Sequence, residues 1–392
     1  MDPDQLECRE LREGDDMVAV MELMQQGFGG SAIRTGRRAV PAPSTSRGEW
    51  ILAAFDQGRP VGTAVMRDMT QWWGGAPVPM CGTSGLSIAP EYRRLGVGRR
   101  LFSHVQQEGL ARGYPLLSGY PMSPPFFRSL GWEMVGRRFQ TEISIQSLRS
   151  ITAPKVRLRR AGPPDASQVR TLIADVHREQ RDSGPVLFDP DATRIMLATP
   201  GLYNYLADDG FLSYHWNGTK EIIVQRLLAR SEATLRAMWA MVASYATQAH
   251  TVRAWLAPND PITWLLADAD DRLTGTHIWG VRITDAPTAM AARGFPGSRP
   301  IRVPLLIEDT VIPANSGRWT LVVADGKGAL EPDDGSVGPS PLTLTAGGLA
   351  ALYGGIPLPL LRRTGLARGG DVEGDPALDA LFATQPHTFD SW

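Results

Sequence analysis

Arginine and glycine are concentrated in the segment RRLGVGR, residues 93–99. Arg93, Gly96 and Gly98 fit the pattern Gln/Arg-x-x-Gly-x-Gly/Ala, between an apolar run that ends at Ile88 and a stretch of helical periodicity. A loop that enters a helix has backbone N–H groups without intrahelical partners, and the helix dipole adds positive charge there. Glycine lets the backbone approach an anion closely, and arginine adds charge-assisted hydrogen bonds. These residues therefore predict a pyrophosphate site.

An ordinary basic turn is the alternative interpretation of this segment, because Arg-Gly pairs are common in proteins. The preceding residues LSIAPEYR favour the anion site, since an apolar strand, a proline and an acidic–aromatic pair before the glycine pattern form a rarer combination. The Lys-Ser/Thr of nucleoside triphosphate loops is absent, and so is the third glycine of dinucleotide loops. A pyrophosphate in another kind of ligand is therefore favoured.

Length and charge limit the function classes. The 392 residues suggest two or three domains. Lys and Arg number 40 and Asp and Glu 41, so the basic surplus of a nucleic-acid-binding protein is absent and we expect no nucleic-acid partner. No apolar run is long enough to cross a bilayer, and the polar, acidic N-terminal residues argue against a secretory signal. These features predict a cytoplasmic protein without a membrane partner.

Cysteine and histidine usage predicts neither a disulfide framework nor a metal site. Cys8 and Cys81 are the only cysteines, which fits a reducing compartment. The six histidines are scattered, and none has metal-ligand spacing with another ligand-type residue. We therefore expect no metal.

The elements around the glycine segment are predicted in the order strand, helix, three strands, helix, strand, helix, strand, which is typical of the mixed α/β or α+β classes. The first helix is predicted to begin after a capping Asp15 or Asp16. The helix that follows the glycine segment is predicted to end at Gly113, and a short helix to begin at Ser123. Residues 29–48 predict a long loop, a feature that is often functional.

A weak internal repeat divides the rest of the chain. Residues 156–180 repeat the order of residues 7–24, with a strand, a glycine turn, an aspartate and a helix, but the second copy has no match to RRLGVG. From Asp285 onward the pattern changes to strands followed by a polar C-terminal stretch. The predicted domains are residues 1–153, 154–284 and 285–392.

The segment LSIAPEYRRLGVGRRLF, residues 86–102, resembles the coenzyme A-binding motif of the GNAT superfamily of N-acyltransferases. The whole chain resembles the Eis (enhanced intracellular survival) branch of that superfamily in its length, its weak repeat and its third-domain change. The resemblance implies tandem GNAT folds, the second without a CoA loop, followed by a sterol-carrier-protein-like domain. It also implies a homohexameric enzyme that uses an acyl-CoA, with acetyl-CoA expected, to acylate a primary amine of a polyamine-type small molecule, such as an aminoglycoside or a lysine-like group.

The resemblance assigns residues to the acyl donor. In the family, the strand before the loop binds the pantetheine arm through its backbone, the loop amides bind the pyrophosphate, and the turn after the next strand adds a contact. The matching residues here are Leu86, Ser87 and Ile88 for the arm, Arg93, Arg94, Leu95, Gly96, Val97, Gly98 and Arg99 for the pyrophosphate, and Met122 and Ser123 for the turn.

The resemblance also implies a C-terminal carboxylate as general base, here that of Trp392, and a tyrosine as general acid. The aromatic residues of TFDSW fit an anchored terminus, since disordered tails are usually polar; a tail packed only on its own domain is the alternative. The tyrosine position is occupied by Phe127, which has no proton to donate. Three explanations stay open: water or a hydroxyl such as Ser123 or Tyr120 replaces it, the thiolate leaves unprotonated, or ordinary acetyl transfer has been lost.

Contacts with an amine acceptor require carboxylates and aromatic walls. The candidates are Asp15, Asp16, Glu49, Trp50, Trp72, Trp73 and Asp390. Residues of these types are more often surface or core residues than substrate contacts. The positive charge of Arg34, Arg37 and Arg38 opposes a polycation unless these side chains face solvent.

A non-catalytic protein that binds a CoA thioester or an apolar ligand is the second functional hypothesis. Phe127 favours this hypothesis, and the intact Arg93-x-x-Gly96-x-Gly98 loop argues against it. A C-terminal tag separates the two, because it should inactivate an enzyme whose base is the Trp392 carboxylate and should spare a binding protein.

Overall fold

The computed structural model describes residues 6–28, 48–267, 271–297, 300–333, 335 and 340–392. The mixed α/β class predicted from the sequence is confirmed, because the strands form one thirteen-stranded and one five-stranded sheet with helices packed against them. Within these ranges, no helix has both the length and the apolar character needed to cross a bilayer.

The larger sheet is built from β1 (Glu7–Glu10), β2 (Glu49–Asp56), β3 (Arg59–Trp73), β4 (Ala76–Ile88), β5 (Leu116–Gly119), β6 (Glu133–Ser144), β7 (Arg159–Arg160), β8 (Val186–Leu187), β9 (Leu202–Leu206), β10 (Gly210–Asn217), β11 (Glu221–Ala229), β12 (Thr251–Leu256) and β13 (Asp271–Ile283). The smaller sheet is built from β14 (Ile301–Glu308), β15 (Gly317–Ala324), β16 (Lys327–Pro332), β17 (Leu342–Thr345) and β18 (Ala367–Gly369). The α-helices are α1 (Met17–Gly27), α2 (Val97–Ala111), α3 (Pro124–Arg128), α4 (Ile145–Leu148), α5 (Ala166–Glu179), α6 (Pro190–Ala198), α7 (Glu232–Ala243), α8 (Ile262–Leu265), α9 (Ala286–Ala292), α10 (Ala346–Tyr353), α11 (Leu358–Arg363) and α12 (Asp375–Phe382).

The first copy of the fold, from β1 to β6, has the order of strands and helices that the sequence predicts. Asp16 caps α1 by accepting a hydrogen bond from the backbone amide three residues later, at 3.0 Å. Helix α2 ends just before Gly113, whose φ of +81° favours glycine. Residues 29–47 of the predicted long loop lie outside the described residues.

An exchange of strands joins the two copies of the fold into one sheet. Strand β13, at the end of the second copy, pairs antiparallel with both β5 and β6 of the first. Strand β6 in turn pairs with β12 of the second copy. The order through this region is β4, β5, β13, β6, β12, β11. The domain boundaries after residues 153 and 284 stay predictions, but β6 and β13 each lie among strands of the other copy.

The residues after β13 form the smaller sheet with its helices, and a buried ion pair attaches them to the larger sheet. Arg282 near the end of β13 donates from Nη2 to both carboxylate oxygens of Asp309, each at 2.7 Å, and both side chains are 1% exposed. The Nε atom of Arg282 donates to Gln106 of α2 at 2.7 Å. One arginine therefore connects α2, β13 and the loop that follows β14.

A buried carboxyl group just before α8 makes stability depend on pH. Burial raises the pKa of Asp260 to about 6, although its Oδ1 accepts a hydrogen bond from the Ile262 amide at 3.0 Å. The unfolded value is about 3.9. Because the folded-state pKa is the higher one, the stabilising contribution of this group is complete below pH 3.9 and is lost as the pH rises through 6.

Asp260→Asn is expected to raise the free energy of unfolding at pH 8 by about 3 kcal/mol and to change it far less at pH 4. The amide keeps an acceptor for the Ile262 backbone and does not ionise. Urea unfolding at the two pH values measures the difference, with the exposed Asp208→Asn as the control. Equal gains at both pH values would contradict the assignment.

Candidate active site

Strands β4 and β5 separate at Thr83 and Gly119, where their parallel pairing ends. Strand β4 continues to Ile88, and its residues Gly85 and Leu86 lie opposite a single residue of β3, which is a bulge. A bulge bends its strand, and the φ of +63° at Gly85 favours glycine. The bend separates the end of β4 from β5 and opens a cleft between them.

This cleft has a volume of about 2180 Å³ and brings together most of the residues predicted to act in the site. It is lined by Trp392 and by ten of the twelve predicted donor-binding residues, namely Leu86, Ser87, Ile88, Arg93, Arg94, Gly96, Gly98, Arg99, Met122 and Ser123. The other two do not line it, since Leu95 points to solvent and Val97 is buried in the core beneath α2.

The glycine segment forms the N-terminal end of α2. Gly96 precedes the helix with φ +85°, and Arg94 has φ +64°, which is uncommon for a residue with a side chain. Gly96 and Gly98 both line the cleft, so the first turn of α2, with its free amides, lies at the cleft edge. This geometry suits an anion.

The arginines of the segment have different partners. Arg93 donates from Nε to the Ile88 carbonyl oxygen at 3.1 Å and so holds the end of β4. Arg99 donates from Nη2 to Ser129 Oγ at 2.7 Å. Arg94 is exposed and makes no hydrogen bond or ion pair within the described ranges. All its donors are therefore available for an anion, whereas Arg93 and Arg99 also brace their surroundings.

Ser87 lies where α1 crosses β4. Its side chain is buried, and its Oγ has no hydrogen-bond partner among the described residues. A Cβ on Gly27 of α1 would lie 1.5 Å from that oxygen, so the close approach requires glycine. Ser87 also lines the cleft, while its Oγ itself is enclosed beneath α1.

Trp392 lies at the apex where β4 and β5 separate. Its indole Nε1 donates to the Ser118 carbonyl oxygen at 3.0 Å, and the same oxygen accepts from Thr83 Oγ1 at 3.3 Å. The Trp392 ring is 5.1 Å from the Tyr120 ring. A Cβ on Gly82 would lie 2.8 Å from Trp392 Cδ1, so β4 is shaped around the indole. The terminal residue thus packs on the first copy of the fold and not only on the third predicted domain.

The position of the missing tyrosine is part of an aromatic core. Phe127 is 8% exposed and makes edge contacts with Phe102 at 4.8 Å and Trp132 at 5.4 Å between ring centroids. Of the two hydroxyls named from the sequence, that of Ser123 is on an exposed residue of the cleft. The Tyr120 hydroxyl donates to the Asp390 carbonyl oxygen at 2.5 Å, so its proton is already engaged.

Of the predicted acceptor contacts, Glu49 lines the cleft, and the others have structural roles. Asp15 accepts from both terminal nitrogens of Arg9, which lowers its pKa to about 2. Asp16 caps α1, Asp390 pairs with Arg226, and the tryptophans are core residues at positions 50, 72 and 73. Arg34, Arg37 and Arg38 lie outside the described residues.

Sequence reasoning missed three acidic residues that line the cleft in addition to Glu49. Asp68 comes from β3, and Asp189 and Asp191 come from the start of α6 in the second copy. Glu49 pairs with Arg67 at 2.7 Å, and Asp191 pairs with Arg194. No group of three or more His, Cys, Asp or Glu side chains arranged for a metal occurs in the part of the chain that the structure describes.

Comparisons with known proteins agree with this architecture. Family models for the acetyltransferase (GNAT) domain match residues 7–135 and 189–283, and one for the sterol carrier protein domain matches residues 286–389. The chain is 26% identical over 389 residues to an uncharacterized N-acetyltransferase from Streptomyces avermitilis, covering 90% of this chain and 89% of that one.

Two crystal structures extend the similarity to the whole chain. A GCN5-related N-acetyltransferase from Kribbella flavida is 38% identical, with a TM-score of 0.92, and the match covers 99% of this chain and 100% of that one. Eis1 from Mycobacterium abscessus is 20% identical with a TM-score of 0.76 over the same shares, which shows a common fold.

Proposed function

Because the chain belongs to the family of GCN5-related N-acetyltransferases, we propose that it moves the acetyl group of acetyl-CoA to a primary amine of a polyamine-type small molecule, such as an aminoglycoside or a lysine-like group. Within the family we place it in the Eis branch, an assignment supported by the order of two GNAT domains and a sterol carrier protein domain. One observation carries the proposal: the glycine segment and Trp392 line the same cleft.

The residues of the cleft fit the acyl donor, which supplies an activated acetyl carbonyl when bound. The first-turn amides of α2 and the exposed guanidinium of Arg94 would hold the pyrophosphate. The end of β4 would hold the pantetheine amides, since its backbone beyond Thr83 has no partner from β5. The cleft then directs the acyl end toward the apex at Ser118.

The Trp392 carboxylate is proposed as the general base. It would accept a proton from the nitrogen of the neutral amine as that nitrogen attacks the acetyl carbonyl carbon and the C–N bond forms; the C–S bond then breaks and the thiolate leaves with its electron pair. Trp392 is fixed for this role by its indole hydrogen bond to Ser118 and by the Tyr120 ring. A base held by such contacts loses little orientational freedom.

No side chain at position 127 protonates the leaving thiolate in this proposal. Phe127 lacks a hydroxyl, and the proton of Tyr120 is engaged with Asp390. A thiol has a pKa near 8.5, so its anion is a tolerable leaving group and water can protonate it afterwards. The substitution therefore does not prevent acetyl transfer.

The carboxylates of the cleft support a cationic acceptor. Glu49, Asp68, Asp189 and Asp191 all line the cleft. Carboxylates in a cleft raise the local concentration of cations. A molecule with several amines can place one ammonium on these carboxylates and another amine near the apex.

Thiol release from acetyl-CoA tests the proposed function. The protein without a C-terminal tag would be incubated with aminoglycosides, lysine-containing peptides and linear polyamines. We expect release with one amine class and none with the same amines after chemical acetylation. Binding of acetyl-CoA without release for any amine would contradict the proposal and favour the binding-protein hypothesis.

Arg94→Gly is expected to weaken acetyl-CoA binding about 10- to 100-fold without lowering the stability of the fold. The variant removes charge-assisted hydrogen bonds to the pyrophosphate, and glycine adopts the positive φ of this position without strain. Isothermal calorimetry and thermal unfolding measure the two effects, with Arg149→Ala at an exposed site as the control. Unchanged affinity would remove Arg94 from the donor site.

Self-association as a homohexamer is proposed from the Eis assignment alone. Light scattering of the purified protein measures the subunit number. A monomer at micromolar concentration would contradict it.

A further inference from the structure

The second copy of the fold opens at the same place as the first. Strands β11 and β12 pair in parallel over four positions that end at Val224 and Ala254, just as β4 and β5 pair over four that end at Thr83 and Gly119. Strand β11 then bulges, because Gln225 has no counterpart in β10. The second copy therefore has the separated strands that form the donor cleft in the first, but without the glycine segment.

The C-terminal segment of the chain, residues 386–390, occupies this second opening. The Arg137 amide of β6 donates to the Pro386 carbonyl oxygen at 3.1 Å, and the Thr388 amide donates to the Arg137 carbonyl oxygen at 3.3 Å. Arg137 lies just beyond the last pair between β6 and β12. The segment thus forms hydrogen bonds with the edge of β6 beyond the point where the pairing with β12 ends.

Phe389 anchors the segment in the core of the second copy. It is 3% exposed and belongs to an apolar cluster with Leu228 of β11, Trp255 of β12 and residues of α5. Trp255 directly follows the last parallel pair of the second opening, as Tyr120 does in the first. Arg138 stacks on Trp255 at 3.4 Å and donates from Nε to the Phe389 carbonyl oxygen at 2.8 Å.

Asp390 connects the two openings. Its carboxylate forms an ion pair with Arg226, which directly follows the bulge of β11 and has a side chain that is 7% exposed. Its carbonyl oxygen accepts the Tyr120 hydroxyl of the first opening. Two residues later, Trp392 reaches Ser118 at the apex of the donor cleft.

We infer that the second opening is a clamp for the C-terminal segment, in which Arg226 acts as a positioning residue that sets the Trp392 carboxylate in the donor cleft through Asp390. The clamp rests on the proposed function in one respect, the role of that carboxylate. The clamp gives the copy without a CoA loop a part in the reaction. Its separated strands hold the C-terminal segment, through Arg226, instead of a donor. Bulges commonly re-aim a side chain beside an active site, and Arg226 is placed by one.

Arg226→Met is expected to lower kcat about 10- to 100-fold, because a displacement of about 1 Å in a catalytic group has an effect of this size. The dissociation constant of acetyl-CoA should not change, since Arg226 does not line the donor cleft. Hydrogen exchange of the peptide that contains residues 386–392 should become faster. Arg226→Lys, which keeps the charge, should recover part of kcat and of the protection.

A double-mutant cycle separates positioning from general stability. Arg226→Met combined with Asp390→Asn should lower kcat no further than the more damaging single substitution, because both substitutions remove the same ion pair. Arg362→Met is the matched control, since it breaks a partly buried pair with Asp375 at 2.7 Å that does not touch the C-terminal segment. The control should destabilise the protein and leave kcat and the exchange of residues 386–392 unchanged.

The outcomes distinguish the clamp from the proposed function. Faster exchange of the segment with an unchanged kcat would overturn the clamp, and so would a loss of kcat with unchanged exchange. Full activity of a chain extended beyond Trp392 would instead overturn the carboxylate as base. In that case the exchange data still show whether Arg226 holds the segment.

Discussion

One glycine added after Trp392 is expected to lower kcat for acetyl transfer by about 10²- to 10⁴-fold, the usual contribution of a general base. The extension moves the terminal carboxylate by about 3.5 Å, the length of one extended residue. It leaves the indole able to donate to the Ser118 carbonyl oxygen, so the anchor of the segment is kept. The affinity for acetyl-CoA should stay the same, because the glycine segment is untouched.

Single-turnover thiol release and calorimetry with acetyl-CoA measure the two quantities. One glycine added at the N-terminus is the matched control and should leave both unchanged. Removal of Trp392 is a harsher variant, because it also removes the buried indole from the apex and from its contacts with Tyr120 and Trp279. Full activity of the extended chain would place the base elsewhere in the cleft.

Arg282→Met is expected to lower the free energy of unfolding by about 3–5 kcal/mol, the typical effect of removing one partner from a buried ion pair. Asp309 would remain without its countercharge where its side chain is 1% exposed. Asp309 Oδ1 also accepts the amides of Val311 and Ile312, at 3.1 and 2.9 Å, so the turn after β14 would lose its support. The contact between the smaller sheet and the larger one should lose the most stability.

Denaturant unfolding followed by circular dichroism measures this change. Arg302→Met is the control, since its pair with Glu331 is exposed, and exposed pairs contribute at most about 1 kcal/mol. Arg282→Met combined with Asp309→Asn should recover part of the loss, because it removes the buried charge. Similar effects of the two single substitutions would contradict the importance of burial.

The glycine segment at the start of α2 could be predicted from the sequence because its conformation depends on local residues. The glycines of the loop, the exposed Arg94 and the helix that presents free amides are all contained in residues 86–102. The cap at Asp16 and the helix end near Gly113 are local in the same sense. Short-range physics is sufficient at each of these positions.

The acidic residues of the cleft and the C-terminal anchor could not be predicted in this way, because they depend on contacts between distant residues. Arg226 and Asp390 are 164 residues apart, and Ser118 and Trp392 are 274 apart. Asp189 and Asp191 look like ordinary capping and first-turn residues of α6, and only the fold shows that they line the cleft. The strand exchange could not be predicted for the same reason, since the sequence of β13 resembles that of an ordinary final strand of the second copy.

The exchanged strand also affects how the protein is made. The edge of β5 that carries Ser118 stays unpaired until β13 has been synthesised. The Gly280 carbonyl oxygen of β13 accepts a hydrogen bond from the Ser118 hydroxyl, and the two residues are 162 positions apart. At about 5–20 residues per second, a ribosome takes roughly 8–30 s to synthesise that interval. During this time the nascent first copy has an unpaired strand edge beside its future cleft, a feature that invites association with other chains. Chaperone dependence during expression, and aggregation of fragments that stop before β13, are the expected signs of this delay.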